Sequence, residues 1–167
     1  MQRILGIDPG LRVTGYGLVE IADPASGTLE LTLIEAGLIK LDAKQPIEDR
    51  LTQLHDDLDA LIKELRPDRL AVEKLFAHYK HPHTAILMAH ARGVILLAAR
   101  QHNLPIEHLP STEVKKAVTG YGHASKEQIQ RAVQAQCRLE QLPSPPDVAD
   151  AIAIALCHAR RITVAQL

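Results

Sequence analysis

Cysteine is scarce. Cys137 and Cys157 are the only two in 167 residues, too few for a disulfide framework and outside any C-x-x-C spacing that would serve zinc or redox chemistry. They read as buried thiols. Long apolar runs are also missing: even a run such as Gly93 to Ala99 falls far short of the ~20 residues a bilayer span needs, which predicts no membrane segment. Met1-Gln2-Arg3 leads straight into a strand-like run with neither an apolar h-region nor a small-residue cleavage site, so a cytoplasmic location is expected. At ~100–200 residues per domain, the length predicts a single α/β domain over residues 1–167 and argues against a two-domain enzyme.

Net charge is nearly absent as well, at −1, which taken alone argues against a polyanionic partner. The sum conceals a division along the chain. Residues 1–73 carry 8 Lys+Arg against 14 Asp+Glu, whereas residues 74–138 carry 9 against 3 and hold seven of the nine histidines. A basic stretch on an acidic scaffold presents a positive surface to a polyanion while the molecule as a whole stays near neutral; the alternative is a dipolar surface without function. Aromatics are few (Tyr16, Phe76, Tyr79, Tyr121), and three of the four fall in the basic stretch, where bases could stack on them.

Hydrophobic periodicity orders the chain as βββαβαβ followed by three helices. Arg3 to Asp8 and Thr14 to Ile21 form a hairpin around Pro9-Gly10, and alternation at Leu29, Leu31 and Leu33, with apolar residues to Leu41, gives a third antiparallel strand. Pro46 opens an amphipathic helix that ends before Pro67. Arg69 to Glu73 and Ile106 to Leu109 are short strands flanking a helix from Thr84 to Gln101. That helix is apolar on more faces than packing on a sheet requires, so a second partner must cover it. Ser111 caps a short helix to Val118, Ser125-x-x-Gln128 is a capping box, and a last helix runs from Asp147 to Arg161. These elements predict an α/β fold with a mixed sheet covered by helices.

Four carboxylates stand where chemistry is possible. Asp8 and Glu73 each end a strand, and ligands of open α/β sheets bind beyond strand ends; if the two strands are neighbours, both acids face one crevice. Asp147 and Asp150, spaced i, i+3, share a face at the start of a helix that is apolar nearly all round, so these acids need a partner. The blander alternatives are a turn residue for Asp8 and helix capping for Asp147 and Asp150. Acids without matching cysteines favour a hard cation such as Mg²⁺ or Mn²⁺, and two such ions ~3.5–4 Å apart suit phosphoryl transfer. A competing metal reading is a zinc site at His78, His81 and His83.

Taken together, Gly-Ile-Asp8-Pro-Gly, Gly15-Tyr16-Gly17, Glu73 with Phe76, Ala91-Arg92-Gly93, Gly120-x-Gly122-x-Ala124-x-Lys126-x-Gln128 and Asp147-x-x-Asp150-Ala-Ile-Ala resemble the RuvC family of bacterial Holliday-junction resolvases, from about residue 3 to 158. The resemblance implies an RNase H-like fold with a five-stranded mixed sheet, a homodimer, Mg²⁺-dependent nicking of two opposing strands of a four-way DNA junction with two ions per site (Mn²⁺ substituting), and cooperation with the RuvA–RuvB motor. It casts Asp8, Glu73, Asp147 and Asp150 as metal-binding catalytic acids. Lys115 and Lys126 become basic residues near the scissile phosphate, Phe76 an aromatic engaging junction bases, and Arg92 a DNA contact. His90 and Lys74 replace glutamines common in relatives, which bears on sequence preference and not on chemistry.

Two other function classes compete. An actin-like or sugar-kinase-type ATPase also starts with a strand ending in Gly-Ile-Asp-x-Gly, but it needs a second lobe for which this length has no room; nucleotide binding would discriminate. A catalytically silent junction-binding module would use only the basic surface, and four acids in one crevice would then repel phosphate.

Overall fold

The computed structural model describes residues 1–22, 30–75 and 82–165. Five strands, β1 (Gln2–Asp8), β2 (Val13–Ile21), β3 (Leu31–Lys40), β4 (Arg69–Glu73) and β5 (Ile106–Leu109), form one sheet in the order β3-β2-β1-β4-β5. The β1–β2 and β2–β3 pairs are antiparallel and the β1–β4 and β4–β5 pairs parallel, so the sheet is mixed, as expected. Five helices complete the chain: α1 (Ile47–Leu65), α2 (Pro82–Gln101), α3 (Ser111–Thr119), α4 (Lys126–Cys137) and α5 (Pro146–Ala165).

Side chains alternate across a strand, and this alternation splits the core in two. Leu5, Ile7, Leu70 and Val72 pack with α1 and α2, through Leu54, Leu58, Ile62, Ile95 and Ala98. Ile4, Val19, Ala71 and Leu109 face the other way, onto α3, α4 and α5. The alternation expected along the third strand breaks at a β-bulge: Leu18 pairs with Glu35 and Val19 with Leu33, leaving Ile34 unpaired and 43% exposed. Leu29 lies outside the described residues.

Arg66, in the left-handed conformation, closes α1 with its N–H on the Ile62 carbonyl, and the capping box at Ser125 is present with both of its hydrogen bonds. Ser111 departs from expectation. The cap position of α3 belongs to Pro110 and makes no side-chain bond, and Ser111 is the first helical residue. The α2 helix buries Ala91, Ile95, Ala98 and Ala99 and exposes Ile86 and Leu97 on its far side. By length and composition this 20-residue helix could cross a bilayer, a possibility that the longest uninterrupted apolar run does not reveal. The α5 helix is the most enclosed of the helices, buried without interruption from Ala151 to Ala159 against the face that carries Ile4 and Ala71.

Candidate active site

Register brings the first two acids together. Gly6 pairs with Ala71 and Ile7 with Val72, so one further step along both strands sets Asp8 beside Glu73, on neighbouring strands about 4.8 Å apart. Period-two alternation puts both on the face of Ile4 and Ala71, which is the face α5 covers. Asp8 and Glu73 therefore end two adjacent parallel strands and look toward one helix.

That helix comes unusually close. A Cβ built on Gly6 would stand 2.2 Å from the Ala151 carbonyl oxygen, and one on Gly15 would stand 2.2 Å from that of Asp147. Gly15 lies directly across from Asp8 in the β1–β2 pair. Only glycine allows the backbone of α5 to rest on the sheet here. The first turn of α5 is thereby held over the strand ends, and the i, i+3 spacing brings Asp150 to the same side as Asp147. All four acids line one cleft of about 1000 Å³, together with Lys115 and Lys126.

The electrostatics bear the crowding out. Burial pushes the Asp8 carboxyl up to about 8, and the charges of Asp150, Glu73 and Asp147 push in the same direction while Lys126 opposes them. Glu73 is raised by burial and by Asp150, against a hydrogen bond from Ser111 and the charge of Lys115. Asp150 is raised chiefly by burial, with Lys126 opposing at an Nζ–Oδ2 separation of 3.8 Å. Arg12 and Arg50 line the same cleft, but only Lys115 and Lys126 oppose the raised carboxyls, so the acids crowd one another locally and a cation bound among them would relieve that crowding.

The donor set fits Mg²⁺ or Mn²⁺ and not zinc, being oxygen throughout. Among the described residues no three His, Cys, Asp or Glu side chains form a ready-made cage. An open lining of carboxylates is nonetheless what Mg²⁺ takes, since it keeps several waters and completes its shell with substrate phosphate. Of the histidines considered for zinc, His83 borders the cleft, and His78 and His81 lie outside the described residues.

Phe76 also lies outside the described residues. Arg92 is not in the acidic cleft; its guanidinium turns inward, to the Glu73 carbonyl and to His108. The structure adds residues that the sequence does not single out for the site. Ser111 supports Glu73. Buried Arg50 of α1 donates from both Nε (3.0 Å) and Nη2 to the Leu11 carbonyl, while Thr14 Oγ1 donates to the Gly10 carbonyl at 2.7 Å, so the turn that follows Asp8 is tied from two sides. A charged residue on the inner side of an otherwise apolar helix stripe was the one available signal for Arg50.

Comparison with known proteins gives a consistent outcome. A family model described as crossover junction endodeoxyribonuclease RuvC matches residues 4–158. The crossover junction endodeoxyribonuclease RuvC of Rhodopirellula baltica is 49% identical over 154 residues, covering 92% of this chain and 84% of that protein. Its counterpart in Desulfitobacterium hafniense is 44% identical over 161 residues, covering 96% and 94%. A solved structure of Thermus thermophilus RuvC in complex with Holliday junction substrate superposes with a TM-score of 0.88 at 29% identity, over 99% of this chain and 98% of that one. A yeast mitochondrial Holliday junction resolvase, at TM-score 0.66 and 14% identity, shares the fold.

Proposed function

Because the chain belongs to the RuvC family of crossover junction endodeoxyribonucleases, with its RNase H-like fold, we propose that Asp8, Glu73, Asp147 and Asp150 hold two divalent cations with which it nicks opposing strands of a four-way DNA junction. The protein is a Holliday-junction resolvase, a metal-dependent nuclease that hydrolyses phosphodiester bonds. The observation that carries the assignment of the site is the convergence of four acids from β1, β4 and α5 on one cleft that also holds Lys115 and Lys126.

Asp8 stands among the other acids, since the charges of Asp150, Glu73 and Asp147 all raise its pKa. When bound, Mg²⁺ supplies Lewis-acid activation of the attacking water and neutralises charge at the leaving oxygen. Asp8 would give up the proton it otherwise retains in order to hold a cation, because a ligand carboxyl must be ionised to bind. Lys126, beside Asp150 and 69% exposed, is placed to meet a DNA phosphate entering the cleft, and Lys115 approaches from α3 on the Glu73 side. Ser111 lines the cleft and favours the ionised form of the Glu73 carboxyl.

The exposed apolar side of α2, with Ile86 and Leu97, supports a homodimer in which two identical sites address a two-fold substrate. The family resemblance supports cooperation with a RuvA–RuvB motor and action on DNA in the cytoplasm. Incubation with synthetic four-way junctions and matched linear duplex, with and without Mg²⁺, tests the reading. Asp8→Asn, Glu73→Gln, Asp147→Asn and Asp150→Asn are each expected to abolish cleavage and spare junction binding. Wild-type nicking by any two of them would overturn the assignment.

A further inference from the structure

Parallel register leaves one carbonyl without a ladder partner. The N–H groups of Leu70 and Lys74 are directed to β5, on the Pro105 and Leu109 carbonyls at 3.0 and 2.8 Å. Alternation then turns the backbone groups of Ala71 and Glu73 toward β1, where Gly6 pairs with Ala71 and Ile7 with Val72. In a parallel ladder a carbonyl so placed accepts from the N–H one position beyond its paired residue. For Glu73 that position is residue 9, and Pro9 has no N–H to give.

Arg92 stands at the vacancy. Its Nε donates to the Glu73 carbonyl at 3.1 Å, and its Nη2 meets His108 Nδ1 on β5 at 2.5 Å. Burial and the Arg92 charge both push the His108 pKa down, so the imidazole stays neutral and Nδ1 accepts. Among the described residues no carboxylate pairs with this guanidinium. The contact is made to the backbone that carries Glu73 and not to its carboxyl.

We propose that Arg92 is a positioning residue that supplies the hydrogen-bond donor Pro9 withholds, pins the end of β4 between α2 and β5, and so fixes the Glu73 carboxylate beside Asp8. The proposal rests on Glu73 being a metal-binding acid. Cleavage by Glu73→Gln would defeat that premise, whereas the outcomes below bear on Arg92 alone.

Arg92→Met keeps the apolar stem and removes the donors; Arg92→Lys keeps charge and a single donor group. Single-turnover cleavage and junction affinity are measured on the full chain over a range of salt, with folding followed by circular dichroism. Arg92→Met is expected to lower the cleavage rate by about tenfold to a hundredfold, the scale of an ångström-level misplacement. Junction affinity and its salt dependence stay at wild-type values, and Arg92→Lys recovers part of the rate. The His108 imidazole, followed by NMR titration, shifts upward in Arg92→Met because the neighbouring cation is gone. In a Pro9→Ala background, which returns an N–H to residue 9, the loss caused by Arg92→Met is smaller. A wild-type cleavage rate, or an equal loss in both backgrounds, overturns the proposal. So does weakened binding with a salt slope shallower by about 0.9, which would make Arg92 a phosphate contact.

Discussion

Replacing Gly15 with alanine tests whether the glycine contacts position the acids. The new methyl would stand 2.2 Å from the Asp147 carbonyl oxygen and 2.8 Å from its carbon. An ordinary C···O contact is about 3.3 Å, so the first turn of α5 must lift from the sheet by roughly 1 Å. The obstacle is helix backbone, which cannot rotate away as a side-chain tip would. Overpacking of this kind costs about 1–3 kcal/mol, more than the roughly 0.4–1 kcal/mol that Gly→Ala contributes by restricting the unfolded chain. The net loss is then up to about 2.6 kcal/mol, and at about 2–4 °C per kcal/mol for a chain of this length Tm falls by up to roughly 10 °C. Catalysis suffers more, because the turn that moves carries Asp147 and precedes Asp150. A 1 Å misplacement costs about a hundredfold in rate. Junction binding, read by gel shift without divalent cations, should be unchanged, since no cationic group has moved. A Gly15→Ala protein with wild-type Tm and wild-type single-turnover cleavage would refute the account of how the cleft is built.

Two other predictions concern charge. In chelator, between about pH 4 and pH 8, folded Asp8 retains a proton that the unfolded chain, with its ordinary value of 3.8, has released, so stability falls as pH rises through that window. Asp8→Asn should flatten the decline and raise Tm at pH 8, and an unchanged pH slope in thermal melts would show that Asp8 is not the group responsible. Lys115→Ala and Lys126→Ala should each weaken junction binding and make the log K against log salt slope shallower, by about 0.9 for every duplex phosphate that the missing lysine had neutralised; unchanged slopes with normal cleavage would place the DNA path elsewhere.

What could be read from the sequence was local. Strand ends at Asp8 and Glu73, the i, i+3 pair at the head of an all-apolar helix, and the capping box at Ser125 each follow from a few consecutive residues, and the structure contains all three. That Asp8 and Glu73 share a crevice depended on β1 and β4 being neighbours, which periodicity does not determine; the observed strand order supplies it. The role of Gly15 was hidden because a glycine in a strand signals a turn, a bulge or a close approach equally well, and only the helix above it decides. Arg92 sits in the basic stretch, where composition points to DNA, yet its guanidinium faces the protein. Side-chain direction on a helix exposed to two environments is a tertiary property. The bulge at Ile34 escaped for a related reason, since it shows only against the partner strand.

The burial of α5 has a consequence for motion. A helix enclosed from Ala151 to Ala159, resting by backbone contact on two strands, has no route to open by itself. Amide hydrogens along this stretch should exchange only through global unfolding, at the slowest rates in the molecule. Many enzymes draw their working residues from loops of low local stability. Here Asp147, on the first turn of α5, and Asp150, just beyond it, belong to a helix with little freedom to open, so the arrangement of these two acids endures for as long as the protein is folded, and any accommodation to a flexible four-armed substrate must come from the DNA and from the segments around the cleft.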